Sequence, residues 1–141
     1  MHNIMVATDG SDGAQRAVEA AAELAKAVGG SLLIVTVAAE RTTQEQAEFA
    51  RVEGDLADAA ETFARRNLDE AEQQARRAGV TAQAELAWGD PTPAIIDMVG
   101  QKKIDAVVVG RRGRGQLSGL LLGSVSQKLT SLAPCTVIVV P

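Results

Sequence analysis

Five short apolar runs, separated by segments of helical period, limit the folds open to this chain more than any other feature. They are Ile4 to Ala7, Leu32 to Val37, Thr81 to Ala87, Ala106 to Val109 and Thr136 to Val140. Their length and their glycine or polar boundaries predict strands. Thr81 to Ala87 alternates apolar and polar residues, as a half-exposed or edge strand does. Between the runs, Ala14, Ala17, Val18, Ala21, Leu24, Ala25 and Val28 recur at helical spacing, with Gly29-Gly30 as the stop. A longer amphipathic series runs through Leu56, Ala60, Phe63, Ala64, Leu68, Ala71, Ala75 and Ala78 to Gly79. In Gly89-Asp90-Pro91, Asp90 fits an N-cap and Pro91 the first helical position, ahead of the apolar Ile95, Ile96 and Val99. Val125, Leu129 and Leu132 mark a last helix, stopped by Pro134. Residues 39–55 are polar and broken by Gly54, which suggests an exposed connection or a weak helix. Parallel neighbours need helical crossovers, so five strands alternating with four helices imply an α/β fold, a parallel sheet covered on both faces, in one domain spanning residues 1–141.

Composition excludes several functional classes. At 141 residues, with 46% apolar and 23% charged residues, the chain can bury a real core and is not disordered in bulk. No apolar run approaches the ~20 residues of a membrane span, and no basic, signal-like segment precedes Asp9. The expectation is a cytoplasmic protein with no membrane association. One cysteine, Cys135, and one histidine, His2, leave zinc frameworks and Cys/His catalysis without support, and Cys135 reads as a small core residue at a strand start. Phe49, Phe63 and Trp88 are too few for a base-stacking platform, and Trp88 reads as a packing residue. No nucleic-acid partner is expected.

Charge is unevenly placed. Residues 1–100 carry 17 acidic and 8 basic groups, whereas residues 101–141 carry 1 acidic and 6 basic ones. An anion would therefore prefer the carboxyl-terminal third, unless its cations form only a solvated surface.

In open parallel sheets ligands sit beyond the carboxyl ends of strands, where the strand order reverses. Two loops qualify, Thr8 to Gly13 and the glycine-rich Gly110 to Gly123. Glycines in the second allow close backbone approach, and the free amides of the helix that follows favour an anion. A Walker loop is absent, since no glycine is followed by lysine. The dinucleotide fingerprint fails as well: Ser118 stands at its third glycine position, and no acidic residue follows Asp105 to hold a ribose.

The spacing that does stand out is Gly110-x2-Gly113-x9-Gly123-Ser124, between a valine strand and a helix. With the opening Ile4-Met5-Val6-Ala7-Thr8-Asp9-Gly10-Ser11, the Gly89-Asp90-Pro91 turn and the closing Ala133-Pro134-Cys135-Thr136-Val137-Ile138-Val139-Val140, it resembles the ATP-binding branch of the universal stress protein family over nearly the whole chain. The resemblance implies a doubly wound five-stranded sheet of order 3-2-1-4-5, helices on both faces, like that of the adenine nucleotide alpha hydrolases. It implies ATP as ligand, between strands one and four. Carried over by position, Ala7, Thr8 and Asp9 would line the adenosine side, Val37 would touch adenine, and Val109 would lie beneath the nucleotide. Gly110 and Gly113 would pass close to the ribose and phosphates. Gly123, Ser124, Val125 and Ser126 would hold phosphate oxygens through amides and two hydroxyls. Asp9 could bond a ribose or adenine group or assist a magnesium ion.

Thr8-Asp9-Gly10-Ser11 also suits a plain turn and helix cap, and Gly123-Ser124 a helix start without ligand. Arg111, Arg112 and Arg114 depart from the small or neutral residues common in the family's pattern; they strengthen phosphate attraction or point into water. No lysine or histidine lies in the glycine motif, so the expected activity is nucleotide-dependent regulation or scaffolding of an unnamed protein partner, with hydrolysis slow at most. ATP would order the Arg111 to Leu122 excursion and so alter a surface offered to that partner. A rival reading is a dimeric module of the same fold that binds no nucleotide, which the glycine spacing disfavours. A hydrolase with a pyrophosphate-holding S-G-G-x-D-S loop is a poor match to Asp9-Gly10-Ser11-Asp12-Gly13. Strand five carries no charged residue, so a homodimer joined through Thr136 to Val140 is expected, as is common in the family.

Overall fold

The computed structural model describes residues 1–38, 54–112 and 122–141, with helical backbone alone at 54–58. Along the chain come β1 (Asn3–Ala7), α1 (Asp12–Val28), β2 (Ser31–Ala38), α2 (Gly54–Arg77), β3 (Gln83–Trp88), α3 (Pro91–Gln101), β4 (Ala106–Gly110), α4 (Ser124–Leu132) and β5 (Thr136–Val140). The strands form one sheet in the order β3-β2-β1-β4-β5, and all four pairings are parallel. The order reverses between β1 and β4, which places a crevice beyond their carboxyl ends.

Strand residues alternate between two cores. Ile4 and Val6 of β1, Leu32 and Ile34 of β2 and Val108 of β4 pack under α1 and α2, against Ala17, Val18, Ala21, Leu68 and Ala71 among others. Met5, Leu33, Val35, Val107 and Val109 pack on the opposite face, against Ile95, Met98 and Val99 of α3 and Leu129 of α4. Burial on both faces explains why the central residues of β1, β2 and β4 form nearly unbroken apolar runs.

Local signals set the boundaries. Ser11 has extended backbone and its Oγ accepts from the Ala14 amide at 3.2 Å, opening α1. Gly29 closes α1 at φ 65°, a left-handed conformation that costs glycine little. At the far end of the sheet, the Asp105 carboxylate accepts from the amides of Asn3 and His2, both at 2.8 Å. The Asn3 bond, and then the His2 bond, hold its pKa below the usual 3.8.

Several expectations require correction. β3 begins at Gln83 rather than Thr81. Asp90 occupies the N-cap of α3, but its side chain makes no capping hydrogen bond. Ala60, Phe63 and Leu132, assigned to apolar helix faces, are exposed, because α2 and α4 cover the sheet only along narrower stripes. Trp88 is 41% exposed at the end of an edge strand instead of packed. Cys135 is half-buried rather than core, since it precedes the other edge strand; the burial it has pushes its thiol pKa up. The helix expected from Leu56 starts at Gly54, and the connection at 39–53 lies outside the described residues.

Candidate functional site

The crevice between the ends of β1 and β4 is a cleft of about 260 Å³. β1 and the loop after it contribute Ala7, Thr8 and Asp9; the end of β2 contributes Val37; β4 contributes Val109 and Gly110, with Arg112 beyond them; the start of α4 contributes Gly123, Ser124, Val125 and Ser126. These residues come from four separated stretches of sequence, and the topology brings them together. Ala14, Pro91 and Ile95 complete the lining and were missed by the sequence reading. Gly113 and Arg114 lie outside the described residues.

The start of α4 gives the cleft its anion-seeking end. Gly123 is the N-cap, extended at φ −73° and ψ 168°, and has no side chain to cap with. The first amide to find a carbonyl within the helix is Gln127, at 2.9 Å from the Gly123 oxygen. The amides of Ser124, Val125 and Ser126 precede it, so they carry the partial positive charge of the helix start. The Ser126 hydroxyl serves a different task. Only 3% exposed, it donates to the carbonyls of Arg111 at 2.9 Å and Gly123 at 3.1 Å. Its one proton is thus committed within the protein in this structure. Gly123 N–H also donates to the Arg111 carbonyl, at 2.7 Å, so both ends of the glycine excursion meet at Arg111. Arg112 lines the cleft, and the Arg111 Nε is buried with no hydrogen-bond partner among the described residues.

Gly110 lines the cleft and also meets the first turn of α1. A Cβ there would stand 2.8 Å from the carbonyl carbon of Gly13, and a Cβ on Gly13 would stand 2.9 Å from the Arg112 oxygen. These two glycines let β4 and α1 approach backbone to backbone, a requirement of the fold whatever the cleft contains.

The opposite wall is the loop after β1. The Asp9 Oδ1 accepts from the Ser11 amide at 3.0 Å, and the Thr8 Oγ1 from the Gly10 amide at 3.2 Å. Asp9 is the carboxylate of the lining, and Arg112 its described cation. Among the described residues no group of three or more His, Cys, Asp or Glu side chains could hold a metal ion by itself.

The sequence model of the universal stress protein family matches residues 1–141. The chain belongs to the universal stress protein family. Three relatives agree with that assignment over nearly their whole lengths. Universal stress protein YxiE of Bacillus subtilis is 32% identical over 145 residues, spanning 99% of this chain and 98% of its own. Universal stress protein UspA from Lactobacillus plantarum superposes with a TM-score of 0.86 at 27% identity, covering 99% of this chain and 97% of that one. A universal stress protein crystallised in complex with cAMP is 29% identical, with a TM-score of 0.77 and the same two coverages. The β3-β2-β1-β4-β5 order and its cleft are thus the universal stress protein fold, and one relative of this universal stress protein holds an adenine nucleotide.

Proposed function

We propose that this universal stress protein binds an adenine nucleotide, ATP with magnesium being the form expected, in the cleft between β1 and β4. On this reading it acts as a nucleotide-dependent regulator or scaffold. The observation that carries the reading is the pairing of two unlike environments in one cleft. Ala7, Val37 and Val109 supply an apolar floor for a flat base. The uncapped start of α4, at Ser124 to Ser126, supplies backbone donors for phosphate oxygens. Thr8 and Asp9, in the wall opposite the α4 start, add the polar groups that a ribose would need. The relative solved with cAMP supports the same ligand class.

Magnesium fits only as a companion of the phosphates. Asp9 is the carboxylate at hand, and one of its oxygens is engaged by Ser11, so the ion would draw most of its oxygen ligands from nucleotide and water. The described lining offers no lysine or histidine to activate a water, and the Asp9 carboxylate is held within its own turn, which favours retention of the nucleotide over turnover.

A homodimer through β5 belongs to the same proposal. β3, the other edge, is guarded by Glu85, whose carboxylate pairs with Lys102 at 3.5 Å. β5 has no such guard, and its backbone groups invite a second strand.

The direct test is chromatography of small molecules released when the purified protein is denatured. Near-equimolar adenine nucleotide in wild type, lost in Gly113→Val with the fold retained, is the expected result. Protein that carries none, and takes up none when supplied with Mg·ATP, would point instead to a dimeric module that binds no nucleotide.

A further inference from the structure

Three consecutive carbonyls at the start of the loop after β1, two of them from residues that line the cleft, are each held by a side chain from a different element. The Thr8 oxygen accepts from the Thr36 Oγ1 of β2 at 3.0 Å, the Asp9 oxygen from the Asn67 Nδ2 of α2 at 3.2 Å, and the Gly10 oxygen from the Gln15 Nε2 of α1 at 3.4 Å. Of the three donors, Gln15 is exposed and its bond long, whereas Thr36 and Asn67 are only 4% and 7% exposed. Asn67 is the more informative of the buried pair. It reaches across 58 residues of sequence, from a helix none of whose described side chains lines the cleft.

Its placement is closely fitted. Asn67 falls on the buried stripe of α2 between Ala64 and Ala71, where an alanine like its neighbours would pack without a polar cost. Gly10 has φ 79°, and a Cβ there would collide with the Asn67 amide, at 2.7 Å from its carbon. The loop residue has no side chain where the asparagine lies, and the asparagine donates to the carbonyl next to it. Fixing the Asp9 carbonyl toward α2 fixes the peptide plane that follows it and so the direction in which Thr8 and Asp9 present their side chains.

We propose that Asn67 is a positioning residue for the nucleotide site, holding the Thr8–Gly10 wall in its binding conformation from behind. The inference rests on the reading of the cleft as an adenine nucleotide site. The polar groove on the far side of the loop, also lined by Asn67, Gln15 and Gln74, is not itself a second ligand site: these three amides already donate to the Asp9, Gly10 and Gln15 carbonyls. That groove does make the substitution tolerable, because truncation at 67 opens onto space that water can enter.

The test compares Asn67→Ala with Ala71→Gly, a change one turn away on the same buried stripe that loosens α2 without touching the loop. Calorimetry would use Mg·ATP, adenosine and magnesium-free pyrophosphate as probes on the whole chain, since the carboxylate at hand for the ion, Asp9, belongs to the loop being loosened. Asn67→Ala is expected to weaken Mg·ATP and adenosine by a common factor of roughly 3 to 10, the worth of one hydrogen bond, and to leave pyrophosphate unchanged. Ala71→Gly is expected to bind all three as wild type does. In ligand-free protein, amide exchange at residues 8–12 should quicken in Asn67→Ala only. Unchanged exchange there, or equal loss of adenosine and pyrophosphate affinity, overturns the positioning role. Failure of the unaltered protein to bind any of the probes overturns the nucleotide reading, while the exchange experiment still decides whether Asn67 holds the loop.

Discussion

Gly110 and Gly13 touch backbone to backbone: a Cβ on Gly110 would stand 2.8 Å from the Gly13 carbonyl carbon, 2.9 Å from its oxygen and 3.1 Å from the Ala14 nitrogen. All three are main-chain atoms at the start of α1, so no flexible side chain can yield. Gly110→Ala should therefore destabilise the fold by about 1–3 kcal/mol, as overpacking does. Urea denaturation at fixed protein concentration measures it. An unchanged midpoint would mean that β4 and α1 part more easily than their contact suggests, and that this glycine answers only to a ligand.

The two serines of the α4 start should separate cleanly. Ser126→Ala removes the buried hydroxyl that joins Arg111 to Gly123 and should cost about 1–2 kcal/mol of stability. Ser124 is exposed at the helix start and lines the cleft. Ser124→Ala should leave stability within about 0.5 kcal/mol and lower Mg·ATP affinity roughly 3- to 10-fold. Denaturation and calorimetry on both variants decide; the reverse pattern would place the phosphate-binding hydroxyl on Ser126.

Acid should weaken the tie between β1 and β4. The Asp105 carboxylate is bonded by the Asn3 and His2 amides, and its pKa lies below 3.8 for that reason. A depressed folded-state pKa means stabilisation that is present above the unfolded value and is lost as pH falls through the folded one. Asp105→Asn should thus be less stable than wild type at pH 7, and the gap should begin to narrow near about pH 4 and go on closing as pH falls further through the folded-state value. Thermal melts from pH 7 to pH 3 give the comparison, and a gap that widens in acid would contradict it.

Dimerisation through β5 can be blocked without disturbing its bonds to β4. The Thr136 amide donates to the Asp105 carbonyl, so in the parallel register the amides of Ile138 and Val140 face β4 and those of Val137 and Val139 face outward. Val139→Pro removes an outward donor and is expected to yield monomer in light scattering at micromolar concentration, with most of the stability retained. A wild-type protein already monomeric there would dispose of the proposed interface.

Legibility in the sequence followed burial. β1, β2 and β4 are covered on both faces and read as apolar runs, whereas β3, an edge, began two residues later than its alternation suggested. Helical period located the buried stripes but not their widths, which depend on the neighbouring element. Phe63 and Leu132 consequently came out exposed. Every described residue that the family's pattern assigned to the site lines one cleft, since these positions sit at or just past the carboxyl ends of β1, β2 and β4 or at the start of α4. Pro91 and Ile95 were missed because they follow β3, and only the pairing of β3 with β2 brings α3 over the cleft. Asn67 had a visible signal, a polar residue set among Ala64, Leu68 and Ala71 on an apolar stripe; its partner, 58 residues earlier, had none.

The most direct measurement of the central claim is isothermal titration of the purified, nucleotide-stripped protein with Mg·ATP. Saturable binding at one nucleotide per chain, weakened by Ser124→Ala, is the predicted result. Absence of heat with Mg·ATP, ADP, AMP and cAMP alike, together with an empty cleft in crystals soaked with the same ligands, would contradict it.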